Sequence, residues 1–153
     1  MISVAGVRGI VGDSLTPPVV ARFAAAFAGV LPPGPVVVGR DARRSGPLVH
    51  RAVAAGLMGA GRDVVDLGLA TTPTTQIAVE HLRAAGGVIL TASHNPAPWN
   101  ALKFLSDLSG DTRNCTEFEI AGDLPPLSAF EPINLALLLR NVALVLGFRL
   151  DRG

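Results

Sequence analysis

The 153-residue chain is poor in charge and has a single cysteine. Charged residues make up 16% and hydrophobic residues 49%, against a usual charged share of about 25%. Such a chain is expected to bury much of its surface and to expose an apolar patch through which it can associate. The formal net charge is only +1, which gives no electrostatic case for nucleic acid or an anionic membrane as partner. A lone Cys115 excludes an internal disulfide and is compatible with a reducing cytoplasm, the expected location. The N-terminus, MISVAGVRGIVG, lacks the apolar core and small-residue cleavage site of a secretion signal. No uninterrupted apolar run reaches the roughly 18 residues that a spanning helix needs. The closest run, Ile133 to Leu146, contains Asn134, Arg140 and Asn141. There is no internal repeat and no low-complexity tract.

What is present is a regular alternation of elements. Thr16-Pro17-Pro18 reads as a helix cap followed by proline at the first helical position, and a helix is predicted to run to Val30. Pro32-Pro33-Gly34-Pro35 ends it. Val36-Val37-Val38 reads as a strand, Gly39 to Gly46 as a polar loop, and Pro47 to Ala60 as a second helix stopped at Gly61. Asp63 to Leu67 is a further strand. Thr72-Pro73 repeats the cap-plus-proline start, for a helix running to Ala85 and stopped by Gly86-Gly87. Val88 to Thr91 is the next strand. Wholly apolar strands alternating with helices indicate an α/β fold with a mostly parallel sheet covered on both faces. Ligands in such sheets gather at the carboxyl ends of the strands. The loops there are 39–46, 68–72 and 92–100.

Three segments in or near those loops carry chemistry. In TASHNPAPWNALKF, residues 91–104, Ser93 stands just past a strand. It reads as a nucleophile, a phosphoryl carrier or a turn residue, since Ser-x-Asn-Pro is good turn chemistry. A hydrolase triad is poorly supported. His50 and His81 fall in predicted helices, His94 is adjacent to the serine, and the G-x-S-x-G elbow is absent. GRDARRSGP, residues 39–47, places Arg40, Asp41, Arg43 and Arg44 before a helix N-terminus. That suits a phosphate, and equally a solvated charge cluster with Asp41 paired to an arginine. GVRGIVG, residues 6–12, lacks the dinucleotide fingerprint. Its glycines either side of Arg8 read as room for a ligand to approach backbone, or as a flexible turn. Lys103, on the far side of the serine loop, reads on its own as a strand-end lysine reaching solvent.

Taken together, TASHNP with NALKF, GRDAR with SGP, and VRGIVG resemble the signatures of the α-D-phosphohexomutases, which comprise phosphoglucomutase, phosphomannomutase and phosphoglucosamine mutase. The match runs in order from about Ser3 to Leu105. The resemblance implies that residues 1–105 form the first domain of such an enzyme, a three-layer α/β/α sandwich. It implies that Ser93 carries a phosphoryl group, given to a hexose phosphate through a hexose 1,6-bisphosphate intermediate. On this reading the enzyme class is an isomerase, an intramolecular phosphotransferase. Lys103 and Arg8 match positions implicated in proton transfer and transition-state stabilisation, and Arg43 and His94 match phosphate- and substrate-binding positions beside the phosphoserine. The expected cofactor is Mg2+, bound in part by the phosphate on Ser93.

The family's remaining magnesium ligands come from an aspartate-rich loop, and no D-x-D-x-D run occurs here. Asp107, Asp111, Asp123 and Asp151 are scattered. The sugar-recognition loop and the distal phosphate-binding loop are not found either. Residues 106–153 read as a divergent tail with an apolar helix at 133–146. Three explanations stay open: a truncated chain, a frame change in the gene, or a short paralogue. The isolated chain is accordingly expected to be inactive in turnover. The alternative function is a non-catalytic phosphosugar- or anion-binding module, or a remnant.

Overall fold

The computed structural model describes residues 2–3, 6–106 and 116–117. The expected helix at 133–146 lies outside them. Strands β1 (Ile2–Ser3) and β2 (Gly6–Ile10) are followed by helix α1 (Pro17–Val30), β3 (Val36–Arg40), α2 (Gly46–Gly59) and β4 (Val64–Leu69). Helix α3 (Thr72–His81), β5 (Gly86–Leu90), β6 (Trp99–Ser106) and β7 (Thr116–Glu117) complete the order.

The seven strands form one sheet, in the order β1-β2-β6-β5-β3-β4, with β7 paired to β6. Strand β3 is parallel to both β4 and β5. Strand β6 is antiparallel to β5, β2 and β7, and β1 is antiparallel to β2. The α/β class is thus as expected, but the sheet is mixed rather than mostly parallel. The reason is the short link between β5 and β6, residues 91–98. A parallel return needs a crossover of a dozen or more residues, whereas a shorter loop returns the chain antiparallel.

The apolar strands are covered on both sides because they alternate in facing. Val36, Val38, Val88, Leu90, Leu102 and Phe104 pack with Val20, Ala24 and Phe27 of α1 and Val49, Val53 and Leu57 of α2. The Phe27 and Phe104 rings lie 4.7 Å apart at 40°, a tilted contact. Val37, Ile89 and Leu105 point the other way, to Val79 of α3 and to Ala84 just past its end. This three-layer arrangement fixes where each loop emerges.

Helix boundaries follow local chemistry. Pro17 opens α1 behind Thr16, whose backbone is extended. The cap of α3 is Thr71, one residue earlier than the sequence suggests, with its hydroxyl accepting from the Thr74 N–H at 3.2 Å. The same helix ends at His81, not Ala85, and Arg83 takes φ 50°. Gly86 and Gly87 belong to β5 instead. A Cβ on Gly86 would come within 2.8 Å of the Leu105 carbonyl oxygen, and one on Gly87 within 2.7 Å of Val79 Cγ2. These glycines therefore permit close packing rather than stop a helix. The carboxyl end of α1 is closed by Arg62, which donates to the carbonyls of Ala28, Leu31 and Pro32 at 2.6–3.2 Å.

Candidate functional site

The carboxyl ends of β2, β3, β4 and β5 lie at one edge of the sheet, together with the start of β6. The loop carrying Ser93 and His94 rises there, and both residues are exposed. Ser93 has φ 52°, the left-handed region. Outside glycine, aspartate and asparagine that conformation is uncommon and costs about 1–2 kcal/mol. Its N–H donates to Thr91 Oγ1 at 3.2 Å. The Asn95 N–H closes on the Ala92 carbonyl and the Trp99 N–H on the Pro96 carbonyl, each at 3.0 Å.

Beneath the loop lies Arg43, on the β3–α2 connection. Its Nη2 donates to the carbonyls of Ser93 and Asn95, both at 2.8 Å. Its Nη1 donates to those of Pro96 at 3.0 Å and Trp99 at 3.1 Å. Nε donates to Asp41 Oδ2 at 3.2 Å. A guanidinium has five N–H bonds, and these five contacts engage them all. Asp41 is fixed in turn, with Oδ1 accepting the Arg43 N–H at 3.0 Å. The Asp41 N–H donates to the Leu90 carbonyl at 3.0 Å, binding this connection to the end of β5.

Two further ties hold the loop. Asn100, fully buried, donates to Ser45 Oγ at 3.0 Å. Ser45 precedes α2 but makes no side-chain cap to it, so its hydroxyl serves the loop's exit rather than its own helix. The Val11 N–H donates to the Pro98 carbonyl at 3.0 Å. The three sequence motifs are thus physically interlocked.

Arg8 and Lys103 lie within the sheet rather than on the loop, and both are half-buried. Lys103 opposes Ile89, so it shares the α3 side of the sheet. Arg8 opposes Ala101, the next same-face position along β6, which puts the two cations on one face as diagonal cross-strand neighbours, a spacing of about 7–8 Å. The Thr91 N–H donates to the Ala101 carbonyl, linking their row to the foot of the serine loop. Beside the loop a groove of about 540 Å3 opens between β3, β4 and the start of α3, lined by Arg40, Asp41, Leu69, Thr71, Thr74 and Thr91.

The glycines flanking Arg8 serve protein packing. A Cβ on Gly6 would strike the Leu102 carbonyl oxygen, and one on Gly9 would lie 2.8 Å from Ser14 Oγ. Gly12, in the turn after β2, has φ 89° and open space around it. Among the described residues no group of three or more His, Cys, Asp or Glu gathers to hold a metal. Both oxygens of Asp41 are engaged by Arg43. None of their helices is long and apolar enough to cross a membrane.

Sequence reasoning singled out Ser93, His94, Arg43, Arg8 and Lys103. It missed Asn100, Ser45 and Thr91, and the left-handed backbone of Ser93. The Asp-x-Arg spacing of Asp41 and Arg43 carried a usable signal, because an aspartate readily accepts from the N–H two residues on.

Comparison with known proteins bears on the same segments. Residues 2–124 match the family described as phosphoglucomutase/phosphomannomutase, alpha/beta/alpha domain I. A phosphoglucosamine mutase of Symbiobacterium thermophilum is 46% identical over 112 residues, covering 69% of this chain and 25% of its own. A phosphoglucosamine mutase of Deinococcus radiodurans is 38% identical over 133 residues, covering 84% and 30%. A phosphoglucomutase/phosphomannomutase family protein of Burkholderia thailandensis has a solved structure that superposes with TM-score 0.62 at 32% identity, over 67% of this chain and 25% of that one. The structure of a putative phosphomannomutase from Thermus thermophilus gives TM-score 0.67 at 35% identity, over 86% and 30%. The chain spans about a quarter of the length of the first curated relatives it matches, 25% for each of three.

Proposed function

This chain belongs to the phosphoglucomutase/phosphomannomutase family as its α/β/α domain I, and from that premise we propose that Ser93 is a phosphoryl carrier. The carrying observation is the left-handed, exposed Ser93 at the tip of a loop fastened from beneath by Arg43. A hydroxyl held clear of the chain at the carboxyl end of β5 can meet a sugar phosphate without rearrangement of the fold.

In the proposed step the Oγ–P bond of phosphorylated Ser93 breaks and a bond forms from phosphorus to a hydroxyl oxygen of a hexose phosphate. The product is a hexose 1,6-bisphosphate. The sugar hydroxyl loses a proton and Ser93 Oγ gains one. The step runs in reverse when the serine takes back the other phosphate. Such transfer passes through a loose transition state that depends on positioning and positive charge. Arg8 and Lys103, on one face and linked to the loop foot, supply the charge and handle the proton. His94, exposed beside Ser93, meets the incoming phosphate. A phosphate on Ser93 would offer a hard oxygen to magnesium. The proposed partners are hexose phosphates, and the proposed setting is the cytoplasm.

The test is incubation of the chain with a hexose 1,6-bisphosphate, followed by digestion and mass spectrometry. Phosphate on Ser93, absent from Ser93→Ala, is the expected result. Phosphate only on other serines, or undiminished in Ser93→Ala, contradicts it. Hexose phosphate bound without any phosphate on Ser93 would mark a non-catalytic phosphosugar-binding module.

A further inference from the structure

Resting on that reading, we propose that Arg43 is a positioning residue, which turns the serine loop's backbone into an anion-facing surface instead of binding phosphate through its own guanidinium. All five of its N–H bonds end on protein acceptors: the Ser93, Asn95, Pro96 and Trp99 carbonyls and the Asp41 carboxylate. Directing a donor at a phosphate would mean giving one of these up. The guanidinium fork, planar and rigid, suits four converging carbonyls in a way an ammonium cannot.

The consequence lies on the other side of each peptide. The peptide bonds here are trans, with no cis bond among the described residues. In a planar trans peptide the carbonyl and the following N–H point in opposite directions. Drawing the Ser93 carbonyl inward therefore turns the His94 N–H away from Arg43. Drawing the Pro96 carbonyl inward does the same for the Ala97 N–H. The exposed side of the loop, where a phosphoryl group on Ser93 stands, thereby carries outward N–H donors. Such oriented backbone amides form anion-binding surfaces without any side-chain charge. The same pull on the Ser93 carbonyl helps to hold the residue at φ 52°.

The experiment compares the wild-type chain with Arg43→Ala and Arg43→Lys by two readouts. Amide hydrogen exchange over residues 91–101 reports the loop, with β3 and β5 as controls for the fold. The initial rate of Ser93 phosphorylation by hexose 1,6-bisphosphate reports the chemistry. Both variants should lose loop protection while the two strands keep theirs. Both should slow phosphorylation, by about 10²-fold if the reacting hydroxyl is displaced by about 1 Å. Lysine should do no better than alanine, and added guanidinium ion should restore part of the rate in Arg43→Ala only. Loop protection unchanged in Arg43→Ala, or a near wild-type rate in Arg43→Lys, would overturn the proposal, because a phosphate-binding role tolerates a lysine. If the wild type takes no phosphate, the phosphoryl-carrier reading fails while exchange still decides the role of Arg43. Should Arg43→Ala unfold the strands, Asp41→Asn decides between the two roles: increased loop exchange supports positioning, and wild-type exchange overturns it.

Discussion

Ser93 shows most clearly how a residue type and a backbone conformation carry separate information. The motif around it was legible as a string, and so was its place after a strand. Its left-handed φ was not, because serine has little intrinsic preference for that region and only the closed loop imposes it. Ser93→Ala and Ser93→Gly separate the two properties. Both remove the hydroxyl and should abolish phosphate uptake. Glycine also removes the conformational penalty of about 1–2 kcal/mol, while returning some of it as unfolded-chain entropy, about 0.4–1 kcal/mol. Ser93→Gly should therefore melt a few degrees above Ser93→Ala, about 3 °C for a domain of this size. Equal melting temperatures would show that the loop relaxes out of the left-handed region once the hydroxyl is gone.

Elements were legible where their own sequence decides them and illegible where a neighbour does. Proline behind threonine announced α1, and the apolar triplet announced β3. The end of α3 was misplaced because Gly86 and Gly87 look like a stop, whereas their lack of side chains answers to Leu105, Leu31 and Val79 across the fold. Gly56 makes the same point between helices. A Cβ there would meet the Ala21 carbonyl oxygen and lie 2.9 Å from Ala24 Cβ. Because the carbonyl cannot swing aside, Gly56→Ala should force α1 and α2 apart and destabilise the domain by about 1–3 kcal/mol, measured as the denaturation midpoint. Arg62 could not be assigned from its string, since its carbonyl partners lie 30–34 residues earlier. Charge-assisted bonds of this kind contribute about 1.5–3 kcal/mol. Arg62→Ala should lower stability by an amount in that range. Arg62→Lys should recover only part, because one ammonium cannot serve the three carbonyls as a guanidinium does.

For the molecule as a whole, composition and alternation pointed to the α/β layers, and the motifs to the location of the candidate site. The interlocking of those motifs was hidden, since it depends on contacts such as Arg43 to Trp99, 56 residues apart. The same scale sets an expectation for turnover. A phosphoserine and a substrate phosphate each carry about −1.5 to −2 charges at neutral pH. Their approach needs cations around both and a metal on the group in transit. With Arg43 engaged by the loop, the proposed reading gives that work to Arg8 and Lys103. One missing electrostatic donor typically costs about 10²–10³ in rate, and among the described residues the proposed reading names only these two cations for the transfer. In a coupled assay with magnesium and bisphosphate, this chain alone should show no turnover above its Ser93→Ala background. Repeated Ser93-dependent turnovers would mean that residues beyond the described ones complete the site.

The pairing of β2 with β6 also sets a timetable. Val7 lies beside Leu102, so β2 has no permanent neighbour on that side until almost everything between has left the ribosome. At about 5–20 residues per second, β2 waits on the order of 5–20 s for its partner. Helices α1 and α2, close in sequence, can associate during that interval, since local contacts form ahead of distant ones. Among the described residues up to β6, the serine loop, strung between β5 and β6, is then among the last parts to close. A nascent chain arrested before β6 emerges should hold its helices together yet leave β2 open to protease, and release of β6 should protect both strands at once.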